Sequence, residues 1–142
     1  MRDMLKRTMV RHSLVVWVMM LIAASVNGAI REALLIPGIG IVAGRTISTV
    51  ALCVLVLLLT WLTIRWIAPR SSRDAWTVGG LWVALTLGFE FLAGHFLFGD
   101  PWSRLLEEYN VFSGRIWVLV LVTILFAPRV CAGIRGVLPA AA

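Results

Sequence analysis

Charge is what this chain is short of. Acidic and basic residues make up 14% of its 142 residues, against about 25% in soluble domains. With 61% of residues hydrophobic and a mean hydropathy of +0.95, a water-soluble fold of this size lacks the polar surface to hide its apolar content. Cysteine is scarce as well. Cys53 and Cys131 have neither metal-ligand spacing nor the makings of a disulfide framework. Both sit in apolar stretches, where a thiol is a small buried hydrophobe. There is no P-loop, no Gly-rich dinucleotide fingerprint and no serine or cysteine elbow for nucleophilic catalysis. No linker is long enough to separate one domain from another, so 1–142 reads as a single integral membrane domain. The net charge of +6 does not form a nucleic-acid stripe. The arginines punctuate apolar runs instead, which is the pattern of orientation signals for membrane insertion.

Long apolar runs are what the chain has. They predict spans at about 14–36, 45–67, 75–98 and 111–135, each near the ~20 residues a bilayer requires. The expected fold is an all-α four-helix transmembrane bundle, with the lipid bilayer as its first partner. A basic start, a short apolar core and Ala23-Ala24-Ser25 also fit a signal peptide. The apolar character continues past Asn27, however, and favours a span. Pro37 and Gly38 are expected to stop that span, with 38–44 as a Gly-rich turn. The last uninterrupted apolar run, 116–127, covers only about 18 Å. Its helix must therefore extend through Pro128-Arg129 towards Arg135 or begin before Arg115. Between the third and fourth spans, Asp100 suits an N-cap and Pro101 the first helical position. Trp102, Leu105, Leu106 and Tyr109 then recur at amphipathic spacing, which predicts a short interfacial helix at about 101–110.

Orientation follows from the basic residues. Nine lie at the N-terminus (Arg2, Lys6, Arg7, Arg11), in the 65–73 connection (Arg65, Arg70, Arg73) and in the C-terminal segment (Arg129, Arg135). The other two connections hold four: Arg31, Arg45, Arg104 and Arg115. The positive-inside rule then predicts both termini in the cytoplasm of a cell with this protein in its inner membrane.

The polar residues inside the spans are few and converge. Glu90 lies 15 residues beyond Ala75, about 22 Å along the helix, in the outer half of the bilayer. Asn27, Arg31, Glu32, Arg45 and Arg115 project to the same zone from other spans, and His95 from the same span. A carboxylate in lipid is costly and seeks a cation; Arg31 and Arg115 are its preferred partners, Arg45 the third. Glu90 shares a helix face with Thr86 and Gly94. Gly80, Ala84 and Gly88 recur every four residues, a small-residue stripe expected to pack closely against another helix, and His95 falls on that same face. Glu90 and His95 are five residues apart, on different faces, with no third ligand in sight, so no metal and no other cofactor is expected.

The runs Asn27-Gly28-Ala29-Ile30-Arg31-Glu32, Phe89-Glu90-Phe91 with Gly94-His95, and Tyr109-Asn110 followed by Gly114-Arg115-Ile116-Trp117 resemble those of small uncharacterised bacterial integral membrane proteins with four predicted spans. That resemblance covers most of the chain and implies the fold without implying an activity. The function expected first is a non-enzymatic binding or accessory component, with a homo-oligomer or a larger membrane complex as partner and no role for nucleic acid. The rivals are a homo-oligomeric transporter or channel using Glu90, and a lipid-modifying enzyme.

Overall fold

A computed structural model describes residues 1–107 and 116–139. It is an all-α bundle, with no strand among the described residues. The helices are α1 (Arg2–Ile30), α2 (Ile36–Ile39), α3 (Ile41–Ile67), α4 (Ser72–Phe96), α5 (Trp102–Glu107) and α6 (Trp117–Ile134), with a π-helical turn over Arg31–Leu35 joining α1 to α2. Four helical stretches, Arg2–Ile39, Ile41–Ile67, Ser72–Phe96 and Trp117–Ile134, are long and apolar enough to cross a membrane. Only 17% to 33% of their most apolar windows is buried inside the protein, so most of the apolar surface faces outward.

The first span ends later than its sequence suggests. Pro37 lacks a backbone N–H and its ring crowds the preceding turn of an α-helix. Here the turn before it has widened: the Ile36 N–H donates to the Arg31 carbonyl, five residues back, and the helix passes through Pro37 and Gly38 to Ile39. The break comes at Gly40, at φ +89°, a backbone conformation open to glycine. One residue thus makes the turn expected to occupy 38–44. Gly44 serves packing instead. A Cβ there would lie 3.1 Å from both the Ile36 side chain and its backbone nitrogen, so the glycine lets α2 fold down over the start of α3.

The other ends follow ordinary capping chemistry. α3 closes on Ala68 in the left-handed region (φ 55°), with Pro69 next in the chain. At the start of α4 the Asp74 N–H donates to Ser71 Oγ at 3.1 Å, while Asp74 Oδ2 accepts from the Arg70 N–H at 3.1 Å, a reciprocal arrangement related to the capping box. The fourth span resolves its shortness by extending: α6 runs through the buried Pro128 to Ile134. Arg135 then donates from Nη1 to the Trp61 carbonyl at 2.6 Å and lies over the Trp61 ring at 4.4 Å.

The four long helices form a ring in the order α1, α3, α6, α4. Bonds spaced one helical turn apart give the directions. Ser13 and Trp17 of α1 meet Trp82 and Thr86 of α4 at a constant offset of 69 residues, so those helices are parallel. Cys131 and Arg135 of α6 meet the Leu57 and Trp61 carbonyls of α3 at a constant offset of 74, so that pair is parallel too. α3 and α6, and α4 and α6, are the closely packed neighbours, whereas α1 and α4 touch sparingly. The core is Val16, Val56, Ile64, Val78, Trp82 and Val120 with their neighbours, all nearly inaccessible.

The tight approach between α4 and α6 is not made by the expected stripe. Gly80 and Ala84 are exposed, and a Cβ on Gly80 or Gly88 would meet nothing within 4 Å. The close glycine is Gly79, where a Cβ would run into the Leu125 backbone carbonyl. A four-residue recurrence marks a face but does not say which neighbour, if any, lies against it.

Candidate functional site

A cavity of about 730 Å³ lies between α1, α3, α4 and α6, towards the ends joined by the π turn and α2. Asn27, Arg31, Arg45 and Glu90, four of the residues projected to converge, line it together with Asp100. Thr86, Glu90 and Gly94, the face expected to carry the carboxylate, form its α4 wall. Its floor is apolar: Met20, Leu52, Val56, Val120 and Ile124.

Each polar group is held by a particular contact. Asn27 is buried, with its Nδ2 donating to the Ser48 carbonyl at 2.9 Å and its Oδ1 accepting from Ser48 Oγ. This reciprocal pair fastens α1 to α3 beside the cavity. Glu90 Oε2 accepts from the Trp117 indole N–H at 3.0 Å, across to α6. The Trp17 indole donates to Thr86 Oγ1 at 3.1 Å and its ring meets Phe89 edge-on at 6.3 Å between centroids. Trp17 thereby sits on the cavity wall next to the core.

Of the cations expected to meet Glu90, Arg31 and Arg45 do not form an ion pair with it. Among the described residues the ion pairs are Arg31 Nε with Glu32 Oε1 at 3.0 Å and Arg104 Nη1 with Asp100 Oδ1 at 3.0 Å. Arg31 therefore answers its sequence neighbour, not Glu90, and Arg45 makes no described ion pair at all. Arg115, the other expected partner, lies outside the described residues. Glu32 belongs to this pair and is itself exposed, away from the cavity lining.

His95 is also elsewhere. Its Nδ1–H donates to the Asp100 carbonyl at 3.0 Å and its ring stacks on Trp102 at 4.0 Å. It anchors α5 to α4 and does not line the cavity. α5 is docked there by a second contact: a Cβ on Gly94 would lie 2.6 Å from Leu105 Cδ2, so the glycine makes room for that leucine. Of the expected interfacial helix at 101–110, the stretch up to Glu107 is described. Trp102 and Leu105 fold onto α4, while Leu106 is 61% exposed; Tyr109 lies outside the described residues.

Among the described residues no group of three His, Cys, Asp or Glu side chains is placed to hold a metal ion. Both cysteines are free thiols. The residues missed by sequence reasoning are Ser48, Thr86 as a bond acceptor, and the indoles of Trp17 and Trp117. Their only signal was position, within a turn of the polar groups they meet. Comparison with protein-family models, curated proteins and solved structures found no match.

Proposed function

We propose that this is a multi-pass inner-membrane protein, both termini in the cytoplasm, that binds a small ligand at the outer end of its bundle and carries out no chemistry of its own. Four long apolar helices with mostly outward-facing apolar windows support the membrane setting. The excess of basic residues at the termini and in the 65–73 connection supports the orientation. The likeness to small bacterial four-span proteins belongs to the same proposal, as does a partner: a second copy or a larger membrane complex.

The single observation that carries the binding role is the cavity. Its volume, about 730 Å³, falls within the ~300–1,000 Å³ typical of small-molecule sites. An apolar floor with a few converging polar groups is the usual anatomy of such sites. The test is purification of the full chain from native membranes, followed by extraction of what it carries. The wild type is expected to retain a small molecule, and Ala24→Phe, which fills the cavity wall without changing charge, to retain much less. Equal recovery from both proteins would sink the reading.

A second reading, transport by a homo-oligomer through Glu90, is favoured by one observation: that carboxylate stands on the cavity wall, accepting from Trp117. Loss of substrate movement in vesicles of a well-folded Glu90→Gln variant is its expected signature. The enzyme reading needs a nucleophile or metal beside His95. The described partners of that ring are the Asp100 carbonyl and the Trp102 and Phe96 rings, which lend the reading no support.

A further inference from the structure

We propose that the cavity receives the acyl chain of an anionic lipid, and that the lipid enters sideways between α1 and α4. This rests on the reading of the cavity as a binding site in a membrane-embedded bundle.

The parallel pair α1 and α4 is pinned by two rungs, Ser13 with Trp82 and Trp17 with Thr86. The next two positions at the same offset are Leu21 with Glu90 and Ser25 with Gly94. All four of these residues line the cavity. The ladder therefore gives way to open space one turn above Trp17, and this is the sparingly packed seam of the ring. Ser25 and Phe89 at that seam are exposed. Among the described residues, then, the cavity communicates with the lateral surface of the bundle, which the apolar helices assign to lipid.

Charge on the cavity wall selects the headgroup. Arg31 is answered by Glu32 and Asp100 by Arg104, while Glu90 accepts from Trp117. Arg45 is exposed, lines the cavity, and has no hydrogen bond or ion pair among the described residues. A guanidinium in this state, above an apolar trough, is suited to a phosphate or carboxylate that brings an apolar tail with it. From Arg45 down to Val56 is eleven residues of α3, about 16 Å, a depth suited to an extended chain and far more than a headgroup alone would use.

The experiment uses the full chain in neutral detergent and reads quenching of tryptophan fluorescence. The probes are mono-acyl phosphatidylglycerol and mono-acyl phosphatidylcholine, each brominated on the chain; Trp17 and Trp117 on the cavity wall are the reporters. Saturable quenching is expected, with the anionic probe about tenfold tighter, the size of one charge-assisted contact. Arg45→Gln is expected to erase that preference. Ser25→Phe is expected to slow the onset of quenching, and free glycerol phosphate not to displace the probe. Equal affinity for the two probes, or an unchanged preference in Arg45→Gln, overturns the anionic-lipid assignment and leaves the binding cavity standing. Displacement by glycerol phosphate overturns the lipid source, and an unchanged rate in Ser25→Phe overturns the lateral entry. Saturable quenching by neither probe overturns this inference, and if native purification also yields an empty protein, the binding role goes with it.

Discussion

Asn27 and Ser48 illustrate what a single polar residue does in this chain. Each is buried among apolar side chains, and each answers the other. Removing one hydroxyl strands a carbonyl oxygen that has already left water. Ser48→Ala is expected to destabilise the protein by roughly 0.5–1.5 kcal/mol in mixed-micelle denaturation, the range of such bonds between membrane helices. A variant as stable as the wild type would show that the pair is incidental. Asn27 was legible in the sequence, because an amide in an apolar run stands out. Ser48 was not. Serine and threonine in helices ordinarily bond their own preceding turn, as Ser13, Ser25, Thr46 and Thr60 do here. No pattern in the sequence separates the one that reaches across. Glu90 was legible for the same reason as Asn27, and both line the cavity. Of the three candidate partners of Glu90, Arg31 pairs instead with the adjacent Glu32, which competes at no cost in distance.

At the scale of the element, the helices were readable and their contacts less so. Hydropathy located four long helices, since a long apolar run has few alternatives to a helix. Helix ends were read from Pro and Gly, and at Pro37 this failed, because a widened turn tolerates what an α-helical turn does not. The packing stripe failed for a different reason. Gly79 stands beside Gly80 in the sequence, and only the neighbour's position tells which of the two is needed. Gly79→Ala is expected to cost about 1–3 kcal/mol, because its Cβ meets the Leu125 backbone and not a side chain that can swing aside. Gly80→Ala and Gly88→Ala, with open space around them, are expected to be neutral or to gain up to about 1 kcal/mol from helix propensity. Thermal unfolding in detergent compares the three. A loss at Gly80 equal to that at Gly79 would mean that the exposed stripe is covered by a second chain.

For the whole molecule, composition foretold an inside-out balance, with most of the apolar surface turned outward, and the ring of four helices has it. The ring order and the weak seam were beyond the sequence, since parallel neighbours such as α1 and α4 are set by rungs 69 residues apart. Orientation is open to a direct check. An impermeant thiol reagent is expected to modify Ser103→Cys in intact spheroplasts and Thr8→Cys only after permeabilisation, both sites being exposed. The opposite pattern would invert the proposed topology and place the cavity at the cytoplasmic side. The π turn at Arg31–Leu35 bears on all of this. Asn27 and Ile36 are nine residues apart, which in an unbroken α-helix sets them about 180° from each other. Yet both face α3, one on Ser48 and the other on Gly44. The surplus residue held in the wide turn takes up about 100° of that disparity. It works as a phase shifter in the hairpin, so the number of residues between those two anchors matters more than their identity.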